Sequence, residues 1–182
     1  MTWASEEQAR AVTGQAPSQR LARLGIELPE VAKPLAAYAP ASQSGGLVFT
    51  AGQLPMLNGQ LTLTGKVGTE VTVEQATEAA RICALNALAA AAAEAGGLDE
   101  IERVVKIVVF VASAPDFTGQ PTVADGASRL LGDVFGAGGK HARSAVGVAV
   151  LPLDAPVEVE LTARLAVRSR IQPLATTETM QA

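Results

Sequence analysis

The stretch His141–Leu165, HARSAVGVAVLPLDAPVEVELTARL, decides how the rest of the chain is read. It holds two alternating patterns separated by Leu151–Pro156. In the first, Ser144, Val146, Val148 and Val150 alternate with Arg143, Ala145, Gly147 and Ala149. In the second, Val157, Val159, Leu161 and Ala163 alternate with Glu158, Glu160, Thr162 and Arg164. Successive side chains of a strand point to opposite faces, so each pattern predicts a strand with one mainly apolar face. The Pro-bounded segment between them predicts a turn, which makes the pair a hairpin centred near Asp154. The remaining faces carry an arginine, then small residues, then carboxylates. A guanidinium fork beside open space suits a small anion, because it holds a carboxylate with two hydrogen bonds.

The hairpin has a geometric consequence. Glu158 would lie opposite Val150, and so roughly 23 Å from Arg143 along the sheet. Arg143 and Glu158 could not then share a pocket within one chain. Either a pocket joins two subunits or the strands are arranged otherwise.

Working outward, 182 residues suffice for one domain with a proper core. Residues are 48% hydrophobic but only 3% aromatic, so that core must be aliphatic and alanine-rich. No apolar run is long and uncharged enough to span a bilayer. The opening MTWASEEQARAV has neither the basic nor the apolar region of a secretory signal. The single cysteine, Cys83, fits a reducing, cytoplasmic setting. A net charge of -4 argues against a broad nucleic-acid surface, which needs clustered Lys and Arg. One histidine and one cysteine form no ligand-spaced metal site, and no phosphate loop or serine-nucleophile elbow is present, so no cofactor is expected.

In chain order, residues 1–16 read as a loose end, followed by a short helix Gln19–Leu24 capped by Ser18 and ended by Gly25. These belong to an N-terminal extension, 1–27. Leu28–Pro40, with three prolines, reads as extended. Leu47–Thr50 is a buried strand and Asn58-Gly59 a hairpin signal, so the domain opens as a β-meander. Thr72-x-x-Gln75 is a capping box that opens a long helix to about Ala95, closed by Gly96-Gly97. Its near-complete apolarity predicts packing on more than one side. Cys83 within it reads as a small buried side chain. Val104–Ala112 is a central strand, with Val105, Ile107, Val109 and Val111 on one apolar face and Lys106, Val108 and Phe110 on the other. Pro121 stands near the start of a second helix with Val123, Ala127, Leu130 and Val134 as its buried stripe. The tail, 168–182, has no periodicity and reads as flexible. Two helices on one face of a mixed sheet make an α+β fold. Small and apolar residues on the other face, Arg143, Ala145, Gly147 and Ala149 with Val108 and Phe110, predict a subunit interface.

HARSAV, the following Leu-Pro, and VEVE resemble the C-terminal signature of the YjgF/RidA family, also labelled endoribonuclease L-PSP. Ala39–Gln43 (APASQ) and Thr50–Pro55 (TAGQLP) resemble two further family segments, and Ala114–Gly136 resembles its second-helix region. The likeness covers about 28–167. It implies a chorismate-mutase-like fold, a homotrimer, and three pockets between subunits. It implies that Arg143 binds a substrate carboxylate and that Glu158 positions water, with Glu160 as a rival on the same strand face. It also implies that Gly52 lets substrate approach the backbone, and that Asp125 stands where many relatives place an asparagine near the pocket. Without the family, an arginine in a structural ion pair and a solvated carboxylate face read equally well. Two positions depart from the pattern. Ala41 replaces a frequent tyrosine, with Tyr38 three residues earlier, and Ala145 stands where several active members have cysteine. His141 abuts Arg143 and is an auxiliary candidate.

The implied activity is hydrolytic deamination of reactive 2-imino and enamine acids to 2-oxo acids and ammonia, without a cofactor. The alternative is a non-catalytic module that binds a small carboxylate, which needs Arg143 but not Glu158. Ribonuclease activity, which the family label advertises, sits poorly with the acidic charge.

Overall fold

The computed structural model describes residues 14–31 and 37–166. The loose N-terminal end, part of the extended 28–40 segment, and the C-terminal tail expected above fall largely or wholly outside the described residues. Among the described residues seven strands and three α-helices follow in chain order: α1 (Pro17–Arg23), β1 (Ala41–Ser44), β2 (Leu47–Thr50), β3 (Met56–Leu57), β4 (Gln60–Leu61), α2 (Val73–Ala95), β5 (Ile101–Ala112), α3 (Gln120–Phe135), β6 (Ala142–Val148) and β7 (Val157–Leu165). The main sheet is five-stranded and mixed, in the order β1-β2-β7-β5-β6, with helices layered on one face. This is the expected α+β architecture with a third helix added, since α1 buries Leu21 in the core.

The long helix forms for the reason its sequence gives. Thr72 Oγ1 accepts from Gln75 N at 3.2 Å, while Thr72 N donates to Gln75 Oε1 at 2.9 Å, and Gly96 ends the helix in the left-handed region at φ 86. Ala76 through Ala92 are buried on nearly every side, between the sheet and α3. The small side chains allow close approach. A Cβ on Gly126 would stand 1.9 Å from the Thr77 carbonyl oxygen, so α3 meets α2 at backbone contact. Gly126→Ala must therefore push two helices apart, and should destabilise the fold by about 3 kcal/mol. A urea unfolding curve would show this as a lower midpoint at unchanged slope.

Several expected details are corrected. Helix α1 starts at Pro17 with Ala16 as N-cap, and Ser18 instead binds Asp99 through its backbone N and its Oγ, at 2.9 and 2.6 Å. The opening strands are not one meander. β1 and β2 pair in the main sheet, whereas β3 and β4 form a separate ribbon turned by Asn58 (φ 51) and Gly59 (φ 77). Strand β5 begins earlier, at Ile101, and a register shift between Val104 and Lys106 turns Val104 inward and Val105 out to solvent. An alternation count cannot see a bulge.

The largest correction concerns the decisive stretch. β6 and β7 are not a hairpin. β5 lies between them, parallel to β6 and antiparallel to β7. Leu151–Pro156 carries the chain past the end of β5 rather than back along β6. Local alternation reports strand identity but not partner, and the buried β5 outcompetes sequence proximity.

Candidate active site

Pairing fixes which face each side chain takes. Arg143 lies opposite Ile107, which is fully buried under the helices, so Arg143, Ala145 and Gly147 face the helix layer. Ser144, Val146 and Val148 share the open face with Val108 and Phe110. The expected grouping of Arg143, Ala145 and Gly147 with Val108 and Phe110 is thus reversed, because β6 pairs with β5 in parallel and in this register. On β7, Val157, Val159, Leu161 and Ala163 are buried, while Glu158 and Glu160 face the open side. Arg143 is level with Leu161, whereas Glu158 is level with Val146. Three residues along and two strands across put Arg143 and Glu158 roughly 14 Å apart, on opposite faces. Within one chain they do not meet, on grounds of face rather than hairpin length.

Arg143 is organised by α3 and by the segment entering β6. Its Nη1 donates to Asp125 Oδ1 at 2.7 Å and to Ser128 Oγ at 3.1 Å. Asp125 and Ser128 are one helical turn apart, so a single guanidinium nitrogen reaches both. His141 completes the cluster, with Nδ1 2.5 Å from Gly139 O and Nε2 3.1 Å from Ser128 Oγ. A carbonyl oxygen only accepts, so Nδ1 carries the proton towards Gly139. In the neutral ring Nε2 then accepts from the Ser128 hydroxyl, whose oxygen accepts from Arg143. Both protons of Nη1 are used. Among the described residues Nε and Nη2 of Arg143 have no hydrogen-bond partner, and the side chain is 26% exposed. That leaves a two-nitrogen edge in the geometry that takes a carboxylate.

Glu158 sits on the other side of the sheet in an open pocket of about 540 Å³, whose wall includes Tyr38, Ser42, Thr50, Gly52, Pro152 and Glu160. Gly52 makes the carboxylate's position available. A Cβ there would stand 1.6 Å from Glu158 Oε1. The neighbouring backbone is fixed by the paired bonds Gln53 N to Val159 O at 2.9 Å and Val159 N to Gln53 O at 3.0 Å. Burial pushes the Glu158 carboxyl above its usual value of 4.5, and the Glu160 carboxylate adds to the effect. Among the described residues Glu158 has no hydrogen-bond or ion-pair partner. No lysine or arginine lines this pocket. Cys83 lies buried behind β7, donating to Val157 O at 3.5 Å, and burial, with Glu158 second, keeps the thiol protonated.

The raised Glu158 value predicts a pH dependence of stability. The folded state holds this proton more tightly than the unfolded chain. Stability from this group is therefore present below 4.5 and is lost as pH rises through the raised folded value. Glu158→Gln should be more resistant to urea than wild type at pH 7 and should lack this fall. The check is the urea midpoint followed from pH 4 to pH 8.

The structure thus collects Arg143, Asp125 and His141 in one cluster and Gly52, Glu158 and Glu160 in another. It adds Ser128 and Tyr38. Ser128 was legible, being three residues after Asp125 on a helix. Tyr38, noted above as three residues before Ala41, lines the Glu158 pocket, with bends at Tyr38 and Pro40 on either side of Ala39. Among the described residues no group of three or more His, Cys, Asp or Glu side chains could hold a metal ion, and no helix is long and apolar enough to cross a membrane.

The chain is similar to known proteins over most of its length. Residues 18–165 match the family described as "YjgF/chorismate mutase-like, putative endoribonuclease". Protein TCP17 of Trypanosoma cruzi is 47% identical over 146 residues, which is 80% of this chain and 91% of that protein. A solved structure from Agrobacterium tumefaciens, of unknown function, is 44% identical, with a TM-score of 0.75 over 84% of this chain and 94% of its own. Another from Shewanella oneidensis, called a putative endoribonuclease, is 36% identical, with a TM-score of 0.80 over 83% of this chain and 100% of its own.

Proposed function

The chain belongs to the YjgF/chorismate mutase-like family, and from that premise we propose that it is a hydrolytic deaminase of 2-imino and enamine acids, assembled as a homotrimer with its pockets between subunits. The observation that carries the reading is a division of labour. Arg143 presents an unpaired Nε–Nη2 edge on one face of the sheet. Glu158 waits in a cation-free pocket on the other. Each supplies what the other lacks, and two copies of the chain would bring them together.

The open face supports assembly. Its middle is apolar, with Val108, Phe110, Val146 and Val148, and Val146 is 42% exposed. One end carries Glu158 and Glu160, and the other carries Lys106, with Arg164 beside it already paired to Glu102. An apolar band flanked by opposite charges suits a heterologous contact that closes into a ring.

The chemistry then follows. The Arg143 edge holds the substrate carboxylate while Nη1 stays fixed to Asp125 and Ser128. Gly52 lets the imine carbon approach the backbone beside Glu158. Glu158 takes a proton from water as the water oxygen bonds to that carbon, and the C=N electron pair moves to nitrogen, which is protonated. Loss of ammonia from the resulting carbinolamine, with a second proton delivered to nitrogen and one removed from oxygen, leaves the 2-oxo acid. A carboxyl with a raised pKa is a better base for this step than an ordinary glutamate, and it can return the proton. Glu160, with its charge close by, serves to set that basicity. No step calls for a cofactor. Ribonuclease chemistry fits less well, since a chain with a net charge of -4 offers little clustered Lys and Arg to an RNA backbone.

The test is ammonia and 2-oxo acid release from freshly generated 2-iminopropanoate. The folded protein should accelerate both in equal amounts. Absence of acceleration refutes the deaminase and leaves a small-carboxylate binder.

A further inference from the structure

Ser128 supplies half of the anchor on Arg143 Nη1, and its hydroxyl has two competing settings. A serine inside a helix commonly turns its hydroxyl back to the carbonyl four residues earlier, which for Ser128 is Ala124 O, and a hydroxyl so turned is lost to neighbours outside the helix. In this protein Ser128 Oγ instead stands 3.1 Å from His141 Nε2 and 3.1 Å from Arg143 Nη1. A hydroxyl has one hydrogen and two lone pairs, and Nη1 offers only hydrogens. Ser128 can therefore accept from Arg143 while its own hydrogen goes to His141, provided that Nε2 carries a lone pair. Gly139 O, 2.5 Å from Nδ1, makes that choice by holding the ring's proton at the other nitrogen. The carbonyl is itself fixed. Gly139 is buried at the end of the 3-10 turn Gly136–Gly139, and a Cβ there would stand 2.3 Å from Leu131 O. The turn is thus packed at backbone contact on α3, the helix that carries Asp125 and Ser128. Water could satisfy the Ser128 hydroxyl as well as an imidazole does, but only a ring held at both nitrogens gives it a fixed direction.

We infer that His141 is a positioning residue: acting through the Ser128 hydroxyl, it keeps Ser128 Oγ turned to Arg143 Nη1, and so keeps the Nε–Nη2 edge aimed at a substrate carboxylate. The inference deepens the role of Arg143 proposed above and rests on it, but not on hydrolysis.

Binding of pyruvate tests it. Calorimetric titrations compare wild type, Ser128→Ala, His141→Phe, His141→Gln and the Ser128→Ala/His141→Phe double variant, each with a thermal melt. Phenylalanine keeps a flat ring and removes both nitrogens, and His141→Leu stands in if that variant does not fold. Glutamine restores a donor and an acceptor. Ser128→Ala and His141→Phe should each weaken pyruvate binding about fivefold, and the double variant should be no weaker than either. His141→Gln should stay within about twofold of wild type. A purely structural histidine would lower Tm and weaken binding whether or not Ser128 is present. Losses that multiply to about 25-fold in the double variant therefore overturn the inference. So does wild-type affinity in His141→Phe, or a glutamine variant as weak as the phenylalanine one. No binding of pyruvate by wild type overturns it together with the Arg143 assignment. The expected pattern without imine hydrolysis overturns the deaminase reading and leaves the role of His141 standing.

Discussion

Arg143→Ala should lower kcat/KM for 2-iminopropanoate by about 10³-fold, corresponding to roughly 4 kcal/mol of lost interaction with the substrate carboxylate. The size follows from the geometry. Nη1 is held by Asp125 at 2.7 Å and by Ser128 at 3.1 Å, so the Nε–Nη2 edge is oriented before substrate arrives. Arg143→Lys should recover little. An ammonium is a single point of donors and cannot stay on Asp125 and Ser128 while offering a second, planar edge. The cost to folding should be small, because Asp125 is 41% exposed and keeps water as a partner. Steady-state kinetics with a thermal melt of each variant separates these effects. A lysine variant with near wild-type activity would show that charge alone suffices and that the anchored fork is irrelevant.

Glu158→Gln should lower kcat by about 10²–10³-fold while making the protein more stable at neutral pH. The opposite signs share one cause. Burial and the Glu160 charge make the ionised carboxylate uncomfortable, which is what makes it a good proton acceptor. Gly52→Ala probes the same group without touching it. The new methyl group would overlap Glu158 Oε1, and a side-chain end can swing away where backbone cannot. The fold should survive with the carboxylate displaced, and activity should approach that of Glu158→Gln. Combining the two substitutions should add little further loss, since both remove one function.

Much of this was legible in the chain. Alternation identified β6 and β7, the Thr72–Gln75 box and Gly96 bounded the long helix, and Pro121 placed the second. These are local signals, set by residues within one or two turns of each other. The pairing of β6 with β5 is not local. Val105 and Val104 exchanged faces because a bulge adds a residue that no period-two count contains. Arg143 was put on the wrong face because only the parallel register of β6 on β5 sets it beside the buried Ile107. The Asp125–Ser128–Arg143–His141 cluster was half visible: its members were named or adjacent, but only the packing of α3 beside β6 brings positions 125 and 143 together. Tyr38 depended on chain bends, where sequence separation says least about distance.

The account's central claim is that one pocket takes Arg143 from one subunit and Glu158 from another. Mixing the two inactive variants tests it most directly. Arg143→Ala and Glu158→Gln chains are co-expressed with different tags, and assemblies carrying both tags are isolated and assayed for imine hydrolysis. In a mixed trimer one of the three interfaces pairs an intact Glu158 with an intact Arg143, so activity should return to about a third of wild type. Mixed assemblies as inactive as either parent would contradict a shared pocket.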